Sequence, residues 1–257
     1  MLKNKLKQNK FIRDSYFLLK GTLQFFKFKP LLLIKQYYWF LNEFGKFRKQ
    51  EENKNFSVIE WYPCLNDNLS YTPLEPTYFF QDSWVAKHIF KIKPTHHYDV
   101  GSSAKTIGIL SQFIPITMID IRPIELELEN LFFQEGSILA LPFEDNSIES
   151  LSSLCVVEHI GLGRYGDLID SFGSEKAIME LKRVLAVGGI ILFSVPVDSE
   201  NKIYFNAHRA FTREYLLELF CGFKILDEQY HYGTKMYNSY DATKGFGTGL
   251  YMLEKER

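Results

Sequence analysis

The chain has only three cysteines, Cys64, Cys155 and Cys221, too widely spaced to gather round a metal ion and too few for a disulfide framework. A reducing cytoplasm is the compartment this predicts. No run of about 18 apolar residues occurs, because Lys20, Lys27, Lys29 and Lys35 interrupt the most hydrophobic stretch, so no membrane-spanning helix is expected. The opening MLKNKLKQNKFIRD has lysines without a following apolar run or a small-residue cleavage site and does not read as a secretory signal. No histidine and cysteine spacing matches a zinc site, which predicts no structural metal. No G-x-G-x-x-G follows a strand pattern, which argues against a nicotinamide-dependent nucleotide-sugar enzyme.

What is present describes a folded domain. The 257 residues are 46% hydrophobic and 24% charged, close to average globular usage and far from disordered or low-complexity composition. Aromatic residues reach 16%, with 23 Phe and 15 Tyr, which suits a heavily packed core or apolar surfaces that meet a ligand or partner. The net charge of −1 hides a division: residues 1–54 hold 13 Lys and Arg against 4 Asp and Glu, a net +9, and the remainder carries −10.

Three regions follow: a basic, aromatic helical extension (1–54), a linker with a lead-in helix (55–94) and an α/β domain (95–257). Within LLKGTLQFFKFKPLLLIKQYYWFLNEFGKFRK (18–49), Pro30 is expected to separate two helical pieces. Two readings of this part stay open. It is either a helical hairpin on the main domain with solvated lysines, or a helix lying at an anionic membrane surface. No nucleic-acid partner is expected, since no recognised binding module accompanies the charge. The stretch YFFQDSWVAKHIFKIK (78–93) has helical spacing and is stopped by Pro94.

Beyond Pro94, strand and helix patterns alternate as in a parallel sheet covered by helices. HYDVG (97–101), ITMID (116–120), SLSSLCVV (150–157) and GIILFSVPV (189–197) read as strands, with ILAL (138–141) ending a short third unit. FKILDEQYHY and TGLYMLEK read as closing strands. Residues 104–113, 175–186 and 213–220 read as helices, the second with Ile178, Met179, Leu181, Val184 and Leu185 on its inner face and its end at Gly188 and Gly189. His96 and His97 precede the first strand and are expected at the surface or an edge. The whole predicts a doubly wound sheet with ligands at the carboxyl ends of its strands.

The chemistry concentrates at those ends. The first strand runs into Gly101-Ser102-Ser103, small residues that let a ligand approach the backbone. The second ends in Asp120, placed to accept hydrogen bonds from both ribose hydroxyls of an adenosine-containing cofactor. A tight turn and a helix-capping Asp would use the same residues. VVEHIGLGRYGD (156–167) follows the fourth strand and packs Glu158, His159, Arg164, Tyr165 and Asp167 into a glycine-rich loop. There His159 is the candidate base for a substrate hydroxyl, oriented by Glu158, with Arg164 and Tyr165 facing substrate; a loop knitted by ion pairs is the alternative. FNAHRAF (205–211) offers Asn206, His208 and Arg209 as further substrate contacts, or Asn206 and Arg209 as caps of the next helix.

The DVGSS turn, MIDIRP, GSILALPFEDNSIESLSS and RVLAVGGIILFSVP make the chain from Tyr98 to Glu254 resemble the class I S-adenosylmethionine-dependent methyltransferases. The resemblance implies a Rossmann-like fold with a mostly parallel seven-stranded sheet. It also implies S-adenosyl-L-methionine as cofactor, with Ser137 and Ile138 beside the adenine. Ser137 stands where the family commonly has an acidic residue, and Gly101 is followed by serines where the family has more glycine. Five strings (YFFQDSWVAKHIF, DVGSS, DIRP, VVEHIGLGRYGD and FNAHRAF) also resemble a methyltransferase-like family of unknown function. The expectation is a cytoplasmic methyltransferase acting on a small polar or glycan-type acceptor, a lipid-linked sugar included, as in surface polysaccharide biosynthesis. The alternative is a non-catalytic binding or scaffold protein that kept the sheet and lost methyl transfer.

Overall fold

The computed structural model describes residues 30–50 and 59–256, and the chain divides into two compact units between Pro73 and Leu74. The first unit contains helix α1 (Pro30–Gln50), which starts at the proline expected to separate two helical pieces. The piece before Pro30 lies outside the described residues. Within this unit Gln36 Nε2 donates to the Leu65 carbonyl at 2.8 Å, and the Trp61 ring packs edge-on against Phe40 and Phe44. No side chain of α1 is fully buried.

The second unit opens with α2 (Pro76–Ile92). Pro76 costs nothing at the first helical position, and the Glu75 carboxylate accepts the Tyr78 N–H at 2.8 Å, so the helix starts two residues before the expected one. Lys93, left-handed at φ 50°, ends it ahead of Pro94. There follow β1 (His97–Val100), α3 (Ala104–Leu110), β2 (Ile116–Asp120), β3 (Leu131–Glu135) and β4 (Ile148–Leu154). After a 3-10 turn at Val157–His159 come α4 (Gly173–Val184) and β5 (Leu185–Val197). The chain closes with β6 (Lys202–Tyr204), β7 (His208–Ala210), α5 (Arg213–Leu219), β8 (Phe223–Tyr232), β9 (Lys235–Tyr237) and β10 (Gly247–Lys255).

The large sheet has the order β3-β2-β1-β4-β5-β10-β8-β9. Strands β3 to β5 are mutually parallel, whereas β10 runs antiparallel to β5 and β8. Eight strands stand where seven were expected, the extra one being the three-residue β9 folded back on β8. Alternation along the strands sorts side chains to two faces. Ile116, Met118, Leu192 and Leu250 meet Trp84, Val85 and Ile89 of α2 and Ile107 and Leu110 of α3. Ile119, Ile191, Phe193, Tyr251 and Leu253 meet Ala177, Ile178, Leu181 and Val184 of α4 and Leu216 of α5.

Several expectations are corrected. The third strand is Leu131–Glu135, and 138–141 is a turn beyond it. The α4 helix stops at Val184 and not at the glycines, which fall inside β5 where its pairing with β4 shifts register. Met179 turns to solvent. The segment around FNAHRAF forms the β6–β7 hairpin, and α5 is capped by Thr212 alone, whose side chain accepts the Tyr215 N–H.

His97 is fully buried, contrary to the surface position expected of it. Ser152 Oγ donates to the buried Asp99 carboxylate, which also accepts the Ser102 N–H (3.1 Å) and Ser102 Oγ–H (2.6 Å). With the Ser152 proton committed there, His97 donates to Ser152 through Nε2 (2.9 Å), and its Nδ1 accepts from Ser150 Oγ (2.7 Å). Burial holds this imidazole neutral, down at about 3, and pushes Asp99 up to about 6. His97→Ala would leave two buried serines short of a partner and open a cavity, and we expect a loss of about 2–4 kcal/mol in urea unfolding. A loss within the scatter of surface substitutions, about 0.5 kcal/mol, would show that the chain of hydrogen bonds carries no stability.

Candidate active site

The tips of β1, β2 and β4 enclose a cleft of about 340 Å³, within the range of about 300–1,000 Å³ usual for small-molecule sites. Each tip contributes for a local reason. At β1 the chain turns through Gly101, left-handed at φ 74°, where an added Cβ would lie 2.9 Å from Val156 Cγ1. Ser102 Oγ–H points down to Asp99 while its oxygen accepts the Leu154 N–H at 3.0 Å. The serine that thickens this turn therefore spends its hydroxyl on β1 and β4, and the entrance stays open. At β2, Asp120 faces the cleft beside Ile121, and its carboxylate accepts the Arg122 N–H (2.9 Å), Nε (3.2 Å) and Nη2 (3.4 Å). Ser137, Ile138 and Leu139 form the wall beyond β3, with Ser137 Oγ accepting the Leu139 N–H.

The opposite wall comes from β4 and the loop after it. Cys155, Val156, His159, Tyr165 and Asp167 line the cleft, and Tyr78 reaches it from α2. Asp167 organises the loop by accepting the backbone N–H groups of Gly161, Gly163 and Tyr165. Burial opposes its charge, but those three donors prevail and hold its carboxyl below the usual range. His159 Nδ1–H donates to the Ala207 carbonyl at 2.6 Å, which fixes the tautomer and leaves Nε2 as the basic nitrogen. Burial pushes His159 down to about 4, so the ring is neutral at pH 7.

Glu158 does not orient that ring. It is 1% exposed, it lies behind the cleft wall, and its Oε1 stands 3.6 Å from His159 Nε2, beyond hydrogen-bond reach. Its Oε2 has no partner. Burial pushes it up to about 8, so it is a neutral acid at pH 7.

Of the other expected residues, Gly101, Ser102, Asp120, Ser137, Ile138, His159 and Tyr165 share the one cleft. Arg164 sits on the rim, donating through Nη1 to Ala207 O at 3.0 Å, and its guanidinium and that of Arg122 each lie 5.2 Å from the Tyr165 ring. Asn206 is exposed at the tip of the β6–β7 hairpin. His208 packs against the rings of Tyr204 and Phe246 and is not among the residues lining this cleft. Arg209 is a structural clamp: buried, it donates to the carbonyls of Ile160, Asp170 and Ser171 and to Ser174 Oγ, with no donor pair left for a substrate. Sequence reasoning missed Tyr78, Arg122 and Cys155, although the first two lie in the quoted strings YFFQDSWVAKHIF and DIRP. Among the described residues no group of His, Cys, Asp or Glu converges as a metal site.

A family model described as Caenorhabditis protein of unknown function, DUF268, matches residues 141–244, under half of the chain. No curated protein matches. Among solved structures, one similar chain is a protein assigned as a sarcosine dimethylglycine methyltransferase from Galdieria sulphuraria. It is 15% identical with a TM-score of 0.52, over 69% of this chain and 85% of that one. The [4+2]-cyclase SpnF is 17% identical with a TM-score of 0.50, over 68% and 81% of the two chains. YcgJ from Bacillus subtilis is 14% identical with a TM-score of 0.50, over 70% and 99%. The chain has the Rossmann-like fold of S-adenosylmethionine-dependent methyltransferases.

Glu158 makes the cleft wall sensitive to pH with a definite sign. Its proton is held more tightly in the folded chain than in the unfolded one, so its contribution is complete below about 4.5 and is lost as pH rises to about 8. The depressed histidines act in the opposite sense but below about pH 6.5, which leaves pH 7–8 as the clean window. We expect the wild type to lose about 1 kcal/mol between pH 7 and 8 in urea unfolding, and Glu158→Gln to flatten that step. Parallel pH curves for the two proteins would rule out a buried neutral acid.

Proposed function

We propose that the chain is a cytoplasmic S-adenosylmethionine-dependent methyltransferase acting on an oxygen or nitrogen of a small polar or glycan-type acceptor. The observation that carries this reading is one cleft with the Asp120 carboxylate and the Gly101 turn on one wall and the neutral His159 on the other. The residues fit the cofactor. Asp120 would accept the ribose hydroxyls, Ile121, Ile138 and Leu139 give the adenine apolar walls, and the bare Cα of Gly101 leaves room for the amino-acid part. When bound, S-adenosylmethionine supplies an electrophilic methyl group.

The protein's own part is positioning and proton removal. An acceptor oxygen becomes strongly acidic as it forms its bond to the incoming methyl carbon, so a weak base suffices to take its proton. His159 Nε2 has no hydrogen-bond partner among the described residues and stays unprotonated down to about pH 4. A neutral Glu158 beside it adds no charge that would hold an imidazolium in the resting state.

One observation favours a second reading, a non-catalytic binding protein. Arg122 already occupies both oxygens of Asp120, and a ribose must share or displace it. That a [4+2]-cyclase has a similar fold underlines that the scaffold alone does not dictate methyl transfer. Calorimetric titration with S-adenosylmethionine and S-adenosylhomocysteine separates the two readings. Saturable binding is expected, and its absence at millimolar ligand would exclude the enzyme. Asp120→Ala should weaken binding by about 1–3 kcal/mol, roughly 5- to 150-fold; unchanged affinity removes Asp120 from the site. His159→Ala should abolish turnover at near-normal cofactor affinity, and an active variant refutes its role as base.

We also propose that residues 1–54 make peripheral contact with anionic membrane. Helix α1 exposes Leu31, Ile34 and Tyr38 and carries Lys35, Lys46, Arg48 and Lys49, within a stretch of net charge +9. Among the described residues no helix is long and apolar enough to cross a membrane. Co-sedimentation with anionic liposomes at low salt, lost at high salt, is the expected result, and no sedimentation at low salt contradicts it.

A further inference from the structure

The rim on the acceptor side of the cleft combines two features that the catalytic reading does not use. The first is an unneutralised guanidinium. Arg164 has no carboxylate within ion-pair distance among the described residues, although acids lie close by in the chain. Asp167 is spent on three backbone N–H groups and Asp170 on Lys176 (2.6 Å) and the Phe172 N–H, while Glu158 is sealed behind the wall. Arg122, across the Tyr165 ring, is neutralised by Asp120. Arg209 at this edge also lacks a carboxylate but is buried with its donors on carbonyls, so Arg164 is the exposed guanidinium described here without an anionic partner, and it stands 3.3 Å from His159 Nδ1.

The second feature is a set of large apolar side chains in water on the two segments tied together at this edge. Leu168 (90% exposed) and Ile169 (70%) follow directly on the cleft-lining Asp167. Phe205 (76%) sits at the hairpin tip, two residues from the Ala207 carbonyl that both His159 and Arg164 hold. Arg209 fastens the hairpin to the 160–171 loop, so loop and tip flank one edge of the cleft. Soluble surfaces seldom gather apolar side chains of this size without a use.

We propose that the acceptor is an amphiphile, with a carboxylate or phosphate held by Arg164 and an apolar chain lying along Leu168, Ile169 and Phe205. This deepens the methyl-transfer reading by replacing its small polar acceptor with one that carries an apolar chain, and it rests on that reading for the occupant of the other half of the cleft. Only an amphiphile answers both features. A neutral apolar partner leaves the Arg164 guanidinium without an anion, and a small polar anion leaves the apolar side chains in water. The guanidinium suits either head group, since its fork of donors matches two oxygens of a carboxylate or of a phosphate.

The test titrates the full chain with dodecyl phosphate and dodecanoate below their micellar concentrations, with inorganic phosphate, acetate and dodecanol as references. Either or both dodecyl anions should bind at least about tenfold tighter than their short counterparts and than dodecanol. Their ratio tells phosphate from carboxylate. Arg164→Gln should erase the preference over dodecanol, and Leu168→Ser with Phe205→Ser, both at exposed positions, should erase the preference for the long chain while sparing the melting temperature. Equal binding of short and long anions, equal binding of dodecanol, absence of saturable binding, or binding that survives both variants unchanged would each overturn the proposal. The last of these would place the amphiphile elsewhere, on the basic residues 1–54. S-adenosylhomocysteine titrated in parallel keeps the outcomes apart: failure of that ligand alone refutes methyl transfer, and failure of the amphiphiles alone refutes only the acceptor class.

Discussion

The Asp99 carboxylate is the constraint on which the rest of the cleft depends. An anion with no exposure at all is tolerable only where donors surround it, and here three arrive: the N–H and hydroxyl of Ser102 in the turn after β1, and the hydroxyl of Ser152 in β4. Those bonds settle where Ser102 points, and through its oxygen they hold the Leu154 N–H and so the tip of β4. His97 and Ser150 extend the same chain down into the sheet. A serine that would otherwise crowd the cleft entrance is thus turned into the fastening between β1 and β4. The glycine-poor turn and the buried histidine are two ends of a single arrangement.

The cleft divides the work of its charged groups by burial. Inside, Glu158 and His159 are driven to their neutral forms, one upward and one downward, because the low-dielectric wall penalises either ion. Toward solvent, Asp120 and Arg122 pair across the mouth, and Asp167 keeps its charge by collecting backbone donors. The groups on the inner wall are thus neutral at pH 7, while those at the rim keep their charge.

What the sequence reveals follows the range of the interactions involved. Strands β1 and β2 are legible because their runs are short, apolar and bounded by turn residues, and the expected spans 97–101 and 116–120 agree with the structure to within a residue. The third strand was misplaced. LFFQE is half exposed along its length at the sheet edge, so its pattern is weaker than that of the buried turn residues Ile138 and Leu141 beyond it. His97 was misread because two histidines before a strand look polar, and only the partners Ser150 and Ser152, more than fifty residues away, make burial tolerable. The same holds for Arg209, whose acceptors at Ile160, Asp170 and Ser171 lie in a loop some forty residues earlier. That Gly101, Asp120 and His159 come to one cleft was legible because the topology brings strand ends together, which local pattern already implies.

The two sides of the cleft are built differently. One side is fixed by the tips of β1, β2 and β4, where moving a residue would disturb the sheet. The other side is edged by the 160–171 loop and the β6–β7 hairpin, joined by backbone carbonyls that accept from Arg164, Arg209 and His159. Carbonyls are supplied by any residue, so side chains at Leu168, Ile169 and Phe205 are free to change without loosening the joint. The arginine clamps are therefore what allow the rim to be apolar here. Together with the buried Leu162 and Ala210 they hold the two segments in register, while Leu168, Ile169 and Phe205 stay exposed.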